Sequence, residues 1–274
     1  MIRILVRLTR PRLALLNGIA AAGGYFLFPG EVDRPTLAAV LFGVALLAAG
    51  GSALNQVMEQ DLDRIMARTR HRPLPTGELA PAAAAVIGAI CIVEGNLALA
   101  VAGGLLPALL GVAALAWYLS IYTPLKRRTP FALPLGAVCG AVPPVIGWCA
   151  AGGSPADFRI ILLAGLLYLW QIPHFWLFQR RHADEYRCAG VPLFMTGLPG
   201  TAFAGYFRLW IIALVAVAML LPAFGIVGRQ VAALWYVLVA VPLVILSVVR
   251  SESAIFSYLN LLPIMVTSIL FVQK

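Results

Sequence analysis

The sequence predicts an all-α membrane protein: a bundle of nine transmembrane helices with the N-terminus cytoplasmic and the C-terminus external. Three observations lead there. Of 274 residues, 62% are hydrophobic and 11% charged, where a typical soluble domain has roughly 45–50% apolar and about 25% charged residues. Nine apolar runs, each close to the roughly 20 residues needed to cross a bilayer, are set apart by charged or Gly/Pro-rich connections. The basic residues also alternate between those connections in the way that the positive-inside rule requires.

Taken in order, the first run, near 13–29, follows Arg10-Pro11-Arg12 and stops before Glu31. No small-residue cleavage site follows it, so it reads as a retained helix and not a removable signal. The second, near 35–56, opens after Asp33-Arg34 and ends where polar residues take over at Asn55. The runs near 81–102 and 104–123 meet at Gly103-Gly104. The fifth, near 131–151, lies between Pro130 and Gly152-Gly153, and the sixth, near 158–179, between Asp157 and Arg180-Arg181. Three more, near 205–224, 230–249 and 253–272, complete a single transmembrane domain over residues 1–274. All are expected to be helical, because lipid offers no partner to free backbone N–H and C=O groups.

With the N-terminus inside, 16 of the 20 basic residues face the cytoplasm, Arg250 among them; only Arg34, Arg159, Arg229 and Lys274 face out. The net charge of +9, which in a soluble chain would point to nucleic acid, is thereby expected of a multi-pass protein of the cell's inner, cytoplasmic membrane and implies no nucleic-acid partner. Four cysteines without a paired spacing read as buried thiols. Most polar chemistry falls on three cytoplasmic connections, 57–80, 124–130 and 180–204, so the working face is cytoplasmic.

The first connection opens with Asn55-Gln-Val-Met-Glu59-Gln-Asp61-Leu-Asp63-Arg64. On a helix, residues 55, 59 and 63 form one polar edge with Asp61 beside it. Like charges so close together call for a cation, and carboxylate and amide oxygens suit Mg²⁺, which usually shares its shell with substrate phosphates. Arg64, Arg68 and Arg72 then recur at four-residue steps; acid followed by base is an arrangement that holds a metal-bound diphosphate from two sides. A plain positive-inside loop would explain the arginines but not the acids. The second connection carries Tyr122-Thr-Pro-Leu-Lys126-Arg127-Arg128, which also serves as a topological anchor. The third follows Trp170-Gln171-Ile-Pro173-His174-Phe175 and continues to Asp184-Glu185-Tyr186. Pro173 frees a backbone carbonyl at membrane depth, and Gln171 and His174 are intramembrane polar groups, which are functional candidates by default.

Asn55-x-x-x-Glu59-x-Asp61-x-Asp63-Arg64 with Arg68-Thr69-x-x-Arg72-Pro73-Leu74 resembles the first acidic motif of the UbiA superfamily of intramembrane aromatic prenyltransferases. Further stretches bring it nearest to the branch that farnesylates heme: Leu8-Thr9-Arg10-Pro11-Arg12, Tyr122 to Thr129, Gly140 to Trp148, and Trp170 to Phe175 with Tyr186-x-x-Ala189-Gly190-Val191-Pro192. They extend from residue 8 to about 192; the last third adds little. Glu59 stands where the family usually has Asp, Cys188 where the second motif often repeats an acid, and Pro130-Phe131 near where an Asn is common.

The resemblance implies a UbiA-type fold whose cytoplasmic cavity takes farnesyl diphosphate through Mg²⁺, with heme B as acceptor and heme O as product. It implies Asn55, Glu59, Asp63, Asp184 and Glu185 as metal ligands. The catalytic set is then Asn55, Glu59, Asp61, Asp63, Lys126 and His174. Arg64, Arg68, Arg72 and Arg127 are expected to bind diphosphate, and Tyr122, Gln171 and Tyr186 to line the substrate site. Heme A synthase or a terminal oxidase under assembly is the partner it implies. Two other readings stay open on the sequence: a related enzyme acting on a quinone precursor or other aromatic acceptor, and a non-catalytic heme or ion transporter.

Overall fold

The computed structural model describes residues 1–194, 199–248 and 251–274. Twelve helices follow one another: α1 Ile2–Thr9, α2 Pro11–Leu27, α3 Arg34–Met58, α4 Gln60–Ile65, α5 Pro81–Gly103, α6 Leu105–Leu125, α7 Ala132–Ala150, α8 Phe158–Arg181, α9 Ala183–Cys188, α10 Gly200–Ala223, α11 over 232–248 and α12 Glu252–Val272. Among the described residues there is no strand. Among the described residues each of the nine apolar runs is helical over most of its length, and seven of these helices are long and apolar enough to cross a membrane; α2 has 17 residues and α11 is likewise shorter. Two short helices, α1 and α9, were not expected from periodicity, nor was the break at Glu59 that sets α4 apart from α3. Helix α10 starts five residues before its expected edge, and Arg208 within it bonds back to Ala204 O. Arg250 lies outside the described residues.

Local chemistry sets the ends. Pro11, Pro35 and Pro81 stand in the first turn of their helices, where the missing N–H costs nothing. Asp33 and Asp157 accept backbone N–H bonds from Thr36 and Arg159 at 3.0 and 2.9 Å, capping α3 and α8. Small residues then set how closely helices pack. A methyl added to Gly147 on α7 would overlap the Ala21 carbonyl of α2, and one added to Gly95 on α5 would overlap the Gly43 carbonyl of α3.

Prolines within the helices leave carbonyls that no water can satisfy at that depth. Four of these carbonyls are taken by aromatic donors. Pro173, Pro263, Pro222 and Pro242 free the carbonyls four residues earlier. These accept, in turn, from Trp210 Nε1 to Leu169 O (3.0 Å), Trp170 Nε1 to Leu259 O (2.6 Å), Trp235 Nε1 to Ala218 O (2.9 Å) and the Tyr258 hydroxyl to Leu238 O (2.8 Å). These bonds tie α8, α10, α11 and α12 around a core that includes Trp148, Trp235, Ile160 and Leu214. Of the cysteines, Cys149 is buried, Cys91 and Cys139 half-buried and Cys188 exposed. The expectation of four buried thiols therefore fails at Cys188, which ends α9 outside the apolar segments.

Candidate functional site

At one end of the bundle α2, α3, α4, α6, α7, α8 and α9 enclose a cavity of about 440 Å³. Asn55, Glu59 and Asp63 reach it from α3 and α4. The helix breaks between them at Glu59, whose φ and ψ are −119° and 20°. The hydrogen bonds Glu59 N to Asn55 O and Asp63 N to Glu59 O, at 3.0 and 2.8 Å, carry four-residue spacing across the break, so the three side chains keep a common edge. A π-helical turn, Trp117–Tyr122, inserts an extra residue per turn in α6. Tyr118 and Tyr122 both line the cavity and stack on each other, with ring centroids 5.8 Å apart.

The polar wall is a chain of contacts. Thr123 Oγ1 donates to Asn55 Oδ1 (2.9 Å), Asn55 Nδ2 donates to Glu59 Oε2 (2.8 Å), and Lys126 Nζ donates to the same oxygen at 2.6 Å. Arg72 donates to Asp63 Oδ2 at 2.7 Å, and Thr69 Oγ1 fixes the Asp63 carbonyl. Arg68 lies over the Phe178 ring with its guanidinium carbon 5.1 Å from the centroid. Two buried atoms here have no hydrogen-bond partner, Glu59 Oε1 and Arg68 Nε, an anion's oxygen and a cation's donor in one wall. Burial pulls the Lys126 ammonium below its usual pKa, against the opposing pull of Glu59.

The opposite wall is apolar and aromatic. Gln171 donates to Ala137 O at 3.1 Å. His174 stacks between Trp170 and Phe256, both centroids 5.2 Å away, and its buried Nδ1 has no partner. Tyr186 closes the side, its hydroxyl pKa raised by burial.

Of the residues expected from the sequence, Asn55, Glu59, Asp63, Arg68, Arg72, Tyr122, Lys126, Gln171, His174 and Tyr186 line the cavity. Five do not. Arg64 is exposed on α4. Asp61 and Arg127 pair with each other at 2.7 and 2.8 Å. The Asp184 side chain is 92% exposed and pairs with Arg187. Glu185 accepts from the Arg68 backbone N–H at 3.1 Å and meets His182 at 3.3 Å; the Arg68 amide, then His182, hold its carboxyl below the ordinary value. Arg10, not singled out by the spacing, lines the cavity. It is the one non-glycine residue with positive φ among those described, at φ 50° and ψ 60°. Burial, then Arg72, lowers its pKa, with Arg68 acting the same way. Its place immediately before Pro11 keeps it out of the right-handed helical region but forecasts neither the left-handed turn nor the cavity. Thr123 was likewise hidden, a threonine that acts only through Asn55.

Among the described residues no three His, Cys, Asp or Glu side chains form a metal cage. Glu59, Asp63 and the Asn55 amide nevertheless offer the hard oxygen donors of a Mg²⁺ that completes its shell from phosphate and water, and the unpartnered Glu59 Oε1 fits that role.

The profile of the UbiA prenyltransferase family matches residues 17–256. A Geobacter sulfurreducens protein named protoheme IX farnesyltransferase is 60% identical over 93% of this chain and 94% of its own. One of the same name from Nitratidesulfovibrio vulgaris is 41% identical over 79% of this chain and 75% of its own. The fold is similar to a solved UbiA homolog from Aeropyrum pernix, with TM-score 0.79, 20% identity and coverage of 96% of this chain and 98% of that one. It is also similar to one from Archaeoglobus fulgidus bound to GPP and Mg²⁺, with TM-score 0.72, 15% identity and 98% coverage of both chains.

Proposed function

The chain belongs to the UbiA prenyltransferase family, and from that premise we propose that it transfers farnesyl from farnesyl diphosphate to one carbon of a heme B vinyl group, while one water adds its hydroxyl to the other carbon and its proton leaves with the diphosphate, yielding heme O. The observation that carries the reading is the pair of unpartnered atoms in one buried wall, Glu59 Oε1 and Arg68 Nε, facing an aromatic cavity. A metal diphosphate supplies what each lacks. The acceptor is read from the relatives named protoheme IX farnesyltransferase.

Asn55, Glu59 and Asp63 would hold Mg²⁺, which when bound neutralises charge on the departing diphosphate. Arg10, Arg68, Arg72 and Lys126 bind the diphosphate oxygens; buried guanidiniums that crowd one another gain most from an anion. Tyr118, Tyr122, Phe178 and His174 line the apolar remainder, which shelters the farnesyl tail, at about 0.8 kcal/mol per buried CH₂, and keeps bulk water from the allylic cation. Gln171 and His174 face the acceptor. Asp61, Arg127 and Glu185 act from behind the wall.

The protein is a multi-pass membrane protein. We place it in the cytoplasmic membrane with the cavity facing inward, and its product passes to a heme-modifying enzyme or an assembling terminal oxidase.

The test supplies purified protein with farnesyl diphosphate and heme B, with Mg²⁺ or with chelator, and weighs the heme pool by mass spectrometry. Heme O and diphosphate appear, and both are lost under chelation and in Asp63→Asn. Activity untouched by chelation or by Asp63→Asn removes the metal assignment; wild-type protein that makes no farnesylated heme removes the acceptor.

A further inference from the structure

Forming heme O consumes one water inside a cavity that has to shut out all the others, so that water needs a fixed place. A buried water is held by two to four polar partners. On the polar wall the side chains are already engaged: Asn55 and Lys126 bond to Glu59, and Arg72 bonds to Asp63. On the aromatic wall two groups of α8, Gln171 and His174, keep acceptors in reserve.

Gln171 and His174 are three residues apart, so they share a face of the helix, and both line the cavity. Gln171 is buried. Its Nε2 donates to Ala137 O at 3.1 Å and to Leu167 O at 3.3 Å, which uses both amide hydrogens and leaves Oε1 as an acceptor. A Cβ on Gly140 of α7 would lie 2.2 and 2.4 Å from the two ends of that amide, so the glycine is what gives the amide its room. His174 is the one histidine among the described residues that line the cavity, and its ring is clamped between Trp170 and Phe256. Its Nδ1 is sealed without a partner. A sealed nitrogen exchanges no proton, so the ring takes up and gives up protons at Nε2, the nitrogen at which a neutral imidazole with Nδ1–H accepts.

We propose that Gln171 Oε1 and His174 Nε2 hold the water that adds to the acceptor, and that His174 is the base that takes its proton. The inference rests on the heme-farnesylating reading of the same cavity. When the C–O bond of farnesyl diphosphate breaks, its electron pair leaves with the diphosphate. The vinyl π pair forms the new C–C bond, and the positive charge passes to the vinyl carbon beside the porphyrin. A water that donates one hydrogen to each of the two acceptors turns a lone pair to that carbon, and this pair forms the new C–O bond. The O–H electron pair stays on oxygen, the proton goes to Nε2, and from there it leaves with the diphosphate. Nothing is oxidised or reduced. Without the base the same cation loses a proton from the neighbouring carbon and becomes an alkene, a product lighter than heme O by one water.

The test gives purified full-length protein heme B, farnesyl diphosphate and Mg²⁺ in oxygen-labelled water and resolves the farnesylated hemes by mass spectrometry. Wild type makes heme O with the label in its hydroxyl. General acid–base groups contribute about 10²–10⁴-fold, so His174→Phe, which keeps a ring between Trp170 and Phe256 but has no nitrogen, lowers the ratio of hydroxylated to alkene product by about tenfold or more. Gln171→Met lowers the same ratio by less, and imidazole added to His174→Ala raises it several-fold. The ratio is set after the C–C bond has formed, so it does not depend on how much of a variant folds. A ratio unchanged in both His174→Phe and His174→Ala overturns the proposal, as does the loss of every farnesylated heme from both, which would assign His174 to holding the heme. Wild-type protein that makes no farnesylated heme overturns the heme reading instead, so the two failures are told apart.

Discussion

Arg127 grips Asp61 with both arms of its guanidinium, at 2.7 and 2.8 Å, and one of the same nitrogens reaches the Met58 carbonyl at 3.1 Å. It thus spans the helix break at Glu59, touching the chain on both sides. Its neighbour Lys126 meets Glu59 itself on the inner side. Arg127→Ala or Asp61→Ala therefore loosens the register between Lys126 and Glu59. Each is expected to raise the Mg²⁺ requirement and the KM for prenyl diphosphate and to slow turnover about tenfold, equal to about 1.4 kcal/mol. The unfolding temperature should hardly move, since an exposed pair contributes only about 0.2–1 kcal/mol. Steady-state kinetics of the exchanged Asp61→Arg/Arg127→Asp protein checks the geometry: it regains most of the loss if the pair positions the wall, and none if each residue touches substrate.

The same pair gives a pH signature. Hydrogen bonds from Arg127 lower the Asp61 pKa to about 2, against about 3.9 for an ordinary aspartate. A depressed folded-state value means that the stabilisation is complete above pH ~3.9 and fades as pH falls toward 2. Thermal unfolding in detergent between pH 5 and 2 should lose this contribution in wild type, a small decline because an exposed pair is worth only about 0.2–1 kcal/mol. In Arg127→Ala, where the shift is gone, the decline over that window is shallower.

Glu59 and Lys126 bond at 2.6 Å with 4% and 23% of their side chains exposed. Removing one partner of a buried pair leaves an uncompensated charge, at a cost of about 3–5 kcal/mol. Lys126→Met should destabilise within that range, while Glu59→Gln/Lys126→Met returns close to wild-type stability because neither charge remains. The double variant stays inactive, since it has lost both the metal carboxylate and the diphosphate cation. Denaturant unfolding beside a diphosphate-release assay separates the two effects.

Much of the bundle and the cavity wall was legible because period and charge report it directly. Asn55, Glu59 and Asp63 share an edge at four-residue steps, and the hydrogen bonds across the Glu59 break preserve those steps. What spacing does not report is which way a side chain turns once the helix ends. Arg64, Arg68 and Arg72 read as one row, but α4 stops at Ile65, and only the last two reach the cavity. Asp184 and Glu185 are adjacent, so α9 sends one to water and the other to the Arg68 loop. Arg10 was hidden for the opposite reason. Its left-handed backbone turns it inward from a segment whose arginines otherwise read as membrane anchors.

That backbone carries a further expectation. A non-glycine residue in the left-handed region costs about 1–2 kcal/mol, and such strain collects at functional sites. Arg10→Gly relieves the strain and removes the guanidinium. Its unfolding free energy should rise by about 1 kcal/mol while the KM for prenyl diphosphate increases several-fold. Arg10→Ala, which keeps the strain, should show the kinetic loss without the gain in stability. Parallel denaturation and kinetic measurements on the two variants distinguish a strained binding residue from a structural turn.

The carbonyl freed by Pro173 offers the sharpest test of how the bundle satisfies its backbone. Leu169 O has no N–H from residue 173 and accepts instead from Trp210 Nε1 at 3.0 Å. Trp210→Phe keeps the ring but leaves that oxygen unpaired, a cost of about 1–3 kcal/mol for a buried polar group. Pro173→Ala supplies a backbone N–H in the position from which a helix satisfies the same carbonyl. Combined with Trp210→Phe, it should recover most of the loss, so that the pair is less destabilising than the sum of the single changes. Additive losses in a double-mutant cycle of unfolding free energies would mean that the indole bond is incidental. Recovery makes Trp210 the substitute donor that lets α8 carry a proline beside Gln171 and His174.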